Sequence, residues 1–263
     1  MCYNAYCKTQ VRPTETDFFL RGERFGGNVA PQLFGLEHIL YIVISTVLGG
    51  VGLFLAYKFA KTEKAQTIVL KCLAGALLLS ILANRLSQVF RYDSARWYCI
   101  IPDSFCGMTS LVVALAVLFG KKDNNVYHFV WLLGLFGGIS TVIYATFVGQ
   151  DMSFFYLPTI TGLLHHSFCA IVIVALLMFK QIHITYKKWY CTLFGFTCYL
   201  TLGAFLMQTF DLSDAFHIAE PLIPDTFLTA WGMAPLYAVA YAAILFAVEL
   251  VRKKRRKKET PNS

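Results

Sequence analysis

The chain has 263 residues, 57% of them hydrophobic, 16% aromatic and only 14% charged, with a mean hydropathy of +0.58. A water-soluble domain places about 25% of its residues in charged types to keep its surface wet. The composition therefore excludes a soluble globular enzyme, a disordered chain and a disulfide-rich mini-domain, and points to a polytopic membrane protein.

In chain order, the first 36 residues are polar and punctuated by glycine and proline. They lack the basic start and apolar core of a cleaved signal peptide, so residues 1–36 are expected to remain as an extracytoplasmic segment. Cys2 and Cys7 in that segment can pair with each other or with Cys99. Seven apolar stretches follow, each of the length of about 20 residues that crosses about 30 Å of hydrocarbon. They cover 37–57, 68–90, 99–119, 127–148, 159–179, 189–210 and 230–251. Strands of a membrane barrel would alternate over about ten residues instead of running continuously apolar. The expectation is an all-α, seven-transmembrane-helix bundle over 37–251 with a basic tail at 252–263.

Basic residues orient the bundle, because short cytoplasmic loops are enriched in them. Alternate connections separate cleanly. Lys58, Lys61, Lys64 and Lys71, then Lys121 and Lys122, then Lys180, Lys187 and Lys188, and finally the run Arg252 to Lys258 fall on one side, 16 of the 23. Lys8, Arg12, Arg21, Arg24, Arg85, Arg91 and Arg96 fall on the other. The N-terminus is therefore expected outside and the C-terminus in the cytoplasm of a multi-pass cell-membrane protein. The net charge of +8 reflects this sorting and a terminal stop-transfer anchor against anionic lipid, not a nucleic-acid partner.

Polar residues inside spans are costly and mark function. Glu37 and His38 open span one; Asn84, Arg85 and Gln88 close span two; Asp103 and Cys106 lie at the start of span three; His165 and His166 lie two turns into span five; Gln208 and Asp211 close span six. All belong to the outer half, whereas the inner halves hold almost nothing polar beyond Lys71. The plain alternative is an interfacial belt of side chains reaching water, which suits Glu37, Arg91 and Asp211.

Cys106 stands among Pro102, Asp103, Ser104 and Gly107, a small-residue helix start whose partial positive charge favours a thiolate. Cys72, Cys169, Cys191 and Cys198 read as packing residues. His165 and His166 point about 100° apart on a helix, so at least one faces inward. A thiolate with an imidazole base is the logic of covalent acyl transfer; the alternative is structural histidines bonded across the bundle. A metal site from His38, His165, His166 and Cys106 competes, but no HxxxH or CxxC spacing occurs, so no metal is expected. Span seven has no lysine for a retinal Schiff base, no glycine-rich phosphate loop occurs, and no cofactor is expected. The clusters Gly49 to Gly52 and Gly134 to Gly138 read as helix-packing surfaces. Ser104-Phe105-Cys106 recurs as Ser167-Phe168-Cys169, too short a match to establish a duplication.

The order of motifs resembles the YwaF-type integral membrane proteins of bacteria, whose animal relatives are cysteine-dependent phospholipid acyltransferases. The likeness runs from Phe34 to Tyr237. It lies in Phe34-Gly35-Leu36-Glu37-His38, Ile101-Pro102-Asp103-Ser104-Phe105-Cys106, Leu157-Pro158 leading to His165-His166-Ser167, and Gly232-Met233-Ala234-Pro235-Leu236-Tyr237. The family's Asn-Tyr element before the seventh span stands here as Ala215-Phe216-His217. The resemblance implies that Cys106 accepts the acyl group and that one of His165 and His166 is its base, His166 being favoured because a small residue, Ser167, follows it. The reading that results is transfer of a fatty acyl group between glycerophospholipid and lysophospholipid through a Cys106 thioester. In it Arg85 and Arg96 hold the phosphate, and His38 and Asp103 orient the imidazole. A small-solute transporter or receptor using the same cavity is the alternative from another class, and a structural helper of membrane assembly is a third.

Overall fold

The computed structural model describes residues 33–90, 96–145, 154–223 and 225–259. Cys2, Cys7 and Arg91 lie outside the described residues. Seven helices follow one another: α1 (Leu36–Phe59), α2 (Glu63–Val89), α3 (Phe105–Phe119), α4 (Asn125–Ile143), α5 (Leu157–Met178), α6 (Tyr190–Phe210) and α7 (Ala230–Glu259). Short 3-10 turns at Trp97–Ile100 and Tyr186–Lys188 precede α3 and α6, and no strand occurs among the described residues.

Helices begin where the chain supplies an acceptor for the first unpaired N–H groups. Thr62 receives the Ala65 N–H at the start of α2, Ser104 the Gly107 N–H at α3, and Asn124 the Tyr127 N–H at α4. Pro158 takes an early position in α5 where its missing N–H is no loss. At α1 the cap is Gly35, without a side chain to bond, and the His38 ring accepts the Phe34 N–H instead.

Six of the helices, all but α3, are long and apolar enough to cross a membrane. Helix α3 differs from the 99–119 span expected there. Pro102 biases the residue before it away from helix and Ser104 caps the next one, so α3 starts only at Phe105. Its 15 residues reach about 22 Å, short of the hydrocarbon thickness. The non-helical approach is tolerated because protein covers it: the Asp103 carbonyl receives the Phe216 N–H at 2.7 Å, and Arg96 N–H donates to the Val89 carbonyl.

Hydrogen bonds tie alternate helix ends together. At one end the start of α1 meets the end of α4 (His38 to Val142), the end of α2 meets the start of α5 (Asn84 to Pro158), and the α6–α7 connection meets the approach to α3. At the opposite end the α3–α4 turn meets α2 (Lys122 to Glu63) and the α5–α6 connection (Asp123 to His183), and Arg252 of α7 donates to the Ile184 carbonyl. Successive helices therefore alternate between the two ends of the bundle. Helix α5 sits centrally, packed most extensively against α2 and α4, with α3 wedged against α2 and α4. Helix α1 touches α5 alone to any extent, and none of its apolar span is buried by protein, against 56% for α5. Ala74, Leu77, Val113, Ala114, Val130, Val172 and Ile173 form the centre of the core. The glycines at 134, 137 and 138 let α4 approach its neighbours closely: a Cβ on Gly138 would lie 2.8 Å from the His166 carbonyl.

Candidate active site

The buried polar residues Asn84, Arg85 and Gln88 near the end of α2 form one face, turned into the bundle. Asn84 donates its amide to the Pro158 carbonyl at 3.0 Å and to the Thr161 hydroxyl at 3.2 Å, which holds the start of α5. The Arg85 guanidinium donates to Asp103 at 3.3 Å across to the approach of α3, and its other terminal nitrogen lies beside Gly107, where a Cβ would stand 3.1 Å from it. The same guanidinium is close enough to both His165 and His166 to interact with them electrostatically.

Cys106 is the second residue of α3 and is half-buried. Its sulfur lies against Gly137 of α4, where an added Cβ would stand 3.1 Å away, and it is hydrogen-bonded with the buried Thr141, one turn further along α4. His165 and His166 are both buried in α5 and their rings are 4.2 Å apart. The Nδ1 of His165 shares a hydrogen bond with the Ser110 hydroxyl of α3 at 3.3 Å. Ser110 also bonds the thiol of Cys169, one turn after His165. Among the described residues no hydrogen bond joins Cys106 to either imidazole, and none occupies a ring nitrogen of His166. The two Ser-Phe-Cys triplets meet on one stripe of α4, Cys106 against Gly137 and Cys169 against Gly134.

The other expected residues take different places. His38 accepts from the Phe34 N–H on Nδ1 and donates from Nε2 to the Val142 carbonyl at 2.9 Å, so both ring nitrogens serve the backbone rather than a catalytic imidazole. The Asp103 carboxylate pairs with the Arg85 guanidinium. Arg96 is half-buried and caps the 3-10 turn before α3. Glu37, Gln208 and Asp211 are exposed. Tyr41 of α1 bonds Ser167, next to His166, at 2.8 Å.

Sequence reasoning passed over four groups. Thr141 and Ser110 are hydroxyls in apolar helices, legible only as helix residues. His217 is the third: the α6–α7 connection turns back through left-handed backbone at Phe216 and His217, the His217 carbonyl receives the Ala230 N–H, and its ring approaches Asp214 at 3.8 Å. Burial pushes the His217 ring below its ordinary range, against the opposing pull of Asp214 and the Glu220 carbonyl. The fourth lies at the opposite end, which was expected to be nearly free of buried polar groups. There His128, with no exposed side chain, donates to Asp123 at 2.8 Å, and the same carboxylate receives the His183 N–H and Lys188. Partial burial works against the Asp123 charge, yet these donors outweigh it and hold the carboxyl below its ordinary range. The signal was available: His128 stands one turn from the Asp123 beside the Asn124 cap.

A model of the TMEM164 family matches residues 33–251, well over half of the chain. The chain belongs to the TMEM164 family. Nothing among curated proteins or solved structures matches it. The TMEM164 match starts three residues before α1 and stops at Val251, just ahead of the basic tail, and it contains every residue of the site described above. With its six long apolar helices, this TMEM164 family member is a multi-pass membrane protein.

Proposed function

We propose that the protein is a seven-span phospholipid acyltransferase of the cell membrane, related to the YwaF-type proteins, with its N-terminus outside and its C-terminus in the cytoplasm. Cys106 attacks the acyl ester of a glycerophospholipid and holds the acyl group as a thioester, and a lysophospholipid hydroxyl then receives it. His166, or its neighbour His165, takes the thiol proton and later activates that hydroxyl. Arg85 and Arg96 receive the phosphate headgroup by charge-assisted hydrogen bonds, and Asp103 steers Arg85 while His38 anchors α1.

One observation carries this reading. A half-buried thiol stands at the first turn of a helix whose Ser110, one turn further on, is hydrogen-bonded to one of two buried imidazoles of α5. His166, whose ring nitrogens make no hydrogen bond among the described residues, suits the base, and catalytic contacts of this kind tighten when substrate is bound. The test is acyl transfer by purified protein from labelled phospholipid to lysophospholipid, with Cys106→Ala and His166→Ala. Both substitutions abolish transfer on this reading; undiminished transfer in Cys106→Ala overturns it. Solute uptake into liposomes by protein that never becomes acylated decides for a transporter instead.

A further inference from the structure

We propose that Thr141 is a catalytic residue of this site, its hydroxyl donating to the oxyanion that forms when the Cys106 sulfur attacks an acyl ester. The proposal rests on the acyl-transfer reading above and adds to it the group that stabilises the transition state.

Thr141 lies in α4 and is 3% exposed, and its hydroxyl is the hydrogen-bond partner of the Cys106 thiol. A threonine inside an apolar helix ordinarily turns its hydroxyl back onto the carbonyl four residues earlier. Here that residue is Gly137, whose carbonyl receives the Ser140 hydroxyl at 3.4 Å, and Thr141 faces the sulfur. Gly137 itself supplies the space, since any side chain there would press on the thiol at 3.1 Å. The backbone that carries Thr141 is pinned on its far side, where His38 binds the Val142 carbonyl at 2.9 Å. The hydroxyl is therefore preorganised, which is what electrostatic stabilisation of a developing charge requires.

The step balances as follows. The thiol proton passes to an imidazole as the Sγ–C bond forms, and the carbonyl π pair moves to oxygen. That oxygen is one bond from the carbon now joined to sulfur, so a donor already touching the sulfur is adjacent to it. The oxyanion accepts from Thr141 Oγ–H, then collapses and breaks the ester C–O bond. The departing lysophospholipid oxygen takes the proton from the imidazolium, leaving a Cys106 thioester and neutral imidazole. Return of the acyl group to a lysophospholipid hydroxyl reverses the same steps and reuses the same donor.

The experiment uses the full chain in lipid nanodiscs containing phosphatidylcholine with a ¹³C-labelled acyl carbonyl. Single-turnover acylation of Cys106 is followed by mass spectrometry, and the carbonyl stretch of the acyl-enzyme by infrared difference spectroscopy, in the wild type, Thr141→Val and Thr141→Ser. Thr141→Ala serves as a second variant without the hydroxyl, and alkylation of Cys106 by iodoacetamide reports that the fold around the sulfur is kept. Removing one oxyanion donor costs about 10²–10³ in rate, so Thr141→Val and Thr141→Ala are expected to acylate about 10²-fold more slowly and to raise the carbonyl frequency. Thr141→Ser is expected to restore most of the rate and the lower frequency. Wild-type acylation with an equal rate in both hydroxyl-free variants overturns the role of Thr141 and leaves the acyl-transfer reading standing. A wild-type protein that never carries an acyl group on Cys106 overturns both.

Discussion

The Arg85 guanidinium and the Asp103 carboxylate meet at 3.3 Å with unequal burial, 7% of the arginine side chain exposed against 28% of the aspartate. Removing one partner of a buried pair costs about 3–5 kcal/mol, because the charge left behind is uncompensated. Which partner remains decides the cost. Asp103→Leu removes the carboxylate paired with a buried guanidinium that lies next to two imidazoles, so it is expected to lower thermal stability in detergent. Arg85→Met leaves a carboxylate that reaches solvent, and a distinctly smaller loss is expected. Equal shifts in the melting midpoint would show that the pair is not the determinant.

Gly138 of α4 and Gly50 of α1 are chemically alike and structurally opposite. A Cβ on Gly138 meets backbone atoms of α5, the His166 carbonyl at 2.8 Å and the Ala170 nitrogen at 3.1 Å, whereas one on Gly50 meets nothing within 4 Å. Overpacking of this kind costs about 1–3 kcal/mol. Gly138→Ala is expected to lower the melting temperature and, by shifting the histidine-bearing turn, to slow acylation of Cys106. Gly50→Ala is expected to leave both unchanged, and the paired melting curves settle it.

His38 joins the start of α1 to the end of α4, and α1 has few other contacts. Loss of a buried hydrogen bond with its partner left unsatisfied costs about 1–3 kcal/mol. His38→Ala should therefore loosen α1 selectively, read as faster hydrogen exchange across 36–59 with α5 unaffected. Exchange rising equally in both helices would contradict an anchoring role.

Acid sensitivity is expected from His217. Burial holds its folded pKa below the ordinary histidine value, so the unfolded chain binds more protons between those two values and stability rises with pH there. The contribution of His217 is complete above about pH 6.5, the ordinary histidine pKa, and is lost as pH falls toward the folded value. Melting followed from pH 7.5 to 5 should show this slope, and His217→Gln should flatten it. A slope unchanged in the variant would assign it to other groups.

Much of this architecture was legible because transfer between water and hydrocarbon is a one-dimensional problem. Runs of apolar residues located all seven described helices, although some ends differ by five to eight residues, and the polar residues Asn84, Arg85 and Gln88 do turn into the bundle. Proline and serine at 102 and 104 already contain the instruction that shortens α3, although hydropathy alone hides it. The hydrogen bonds at each end of the bundle show which helix ends lie together.

By itself the sequence determined a multi-pass helical membrane protein whose costly side chains gather near one end. Tertiary structure alone decided which of them meet. It put Thr141 and Gly137 around Cys106, Ser110 between His165 and Cys169, His38 on the backbone, and His128 at the far end with Asp123. The physical reason is that lipid rewards any apolar face equally, so hydropathy carries no information about helix rotation or register. Those are set by close packing, here by the glycines of α4, and only once they are set does a hydroxyl in an apolar helix acquire a partner.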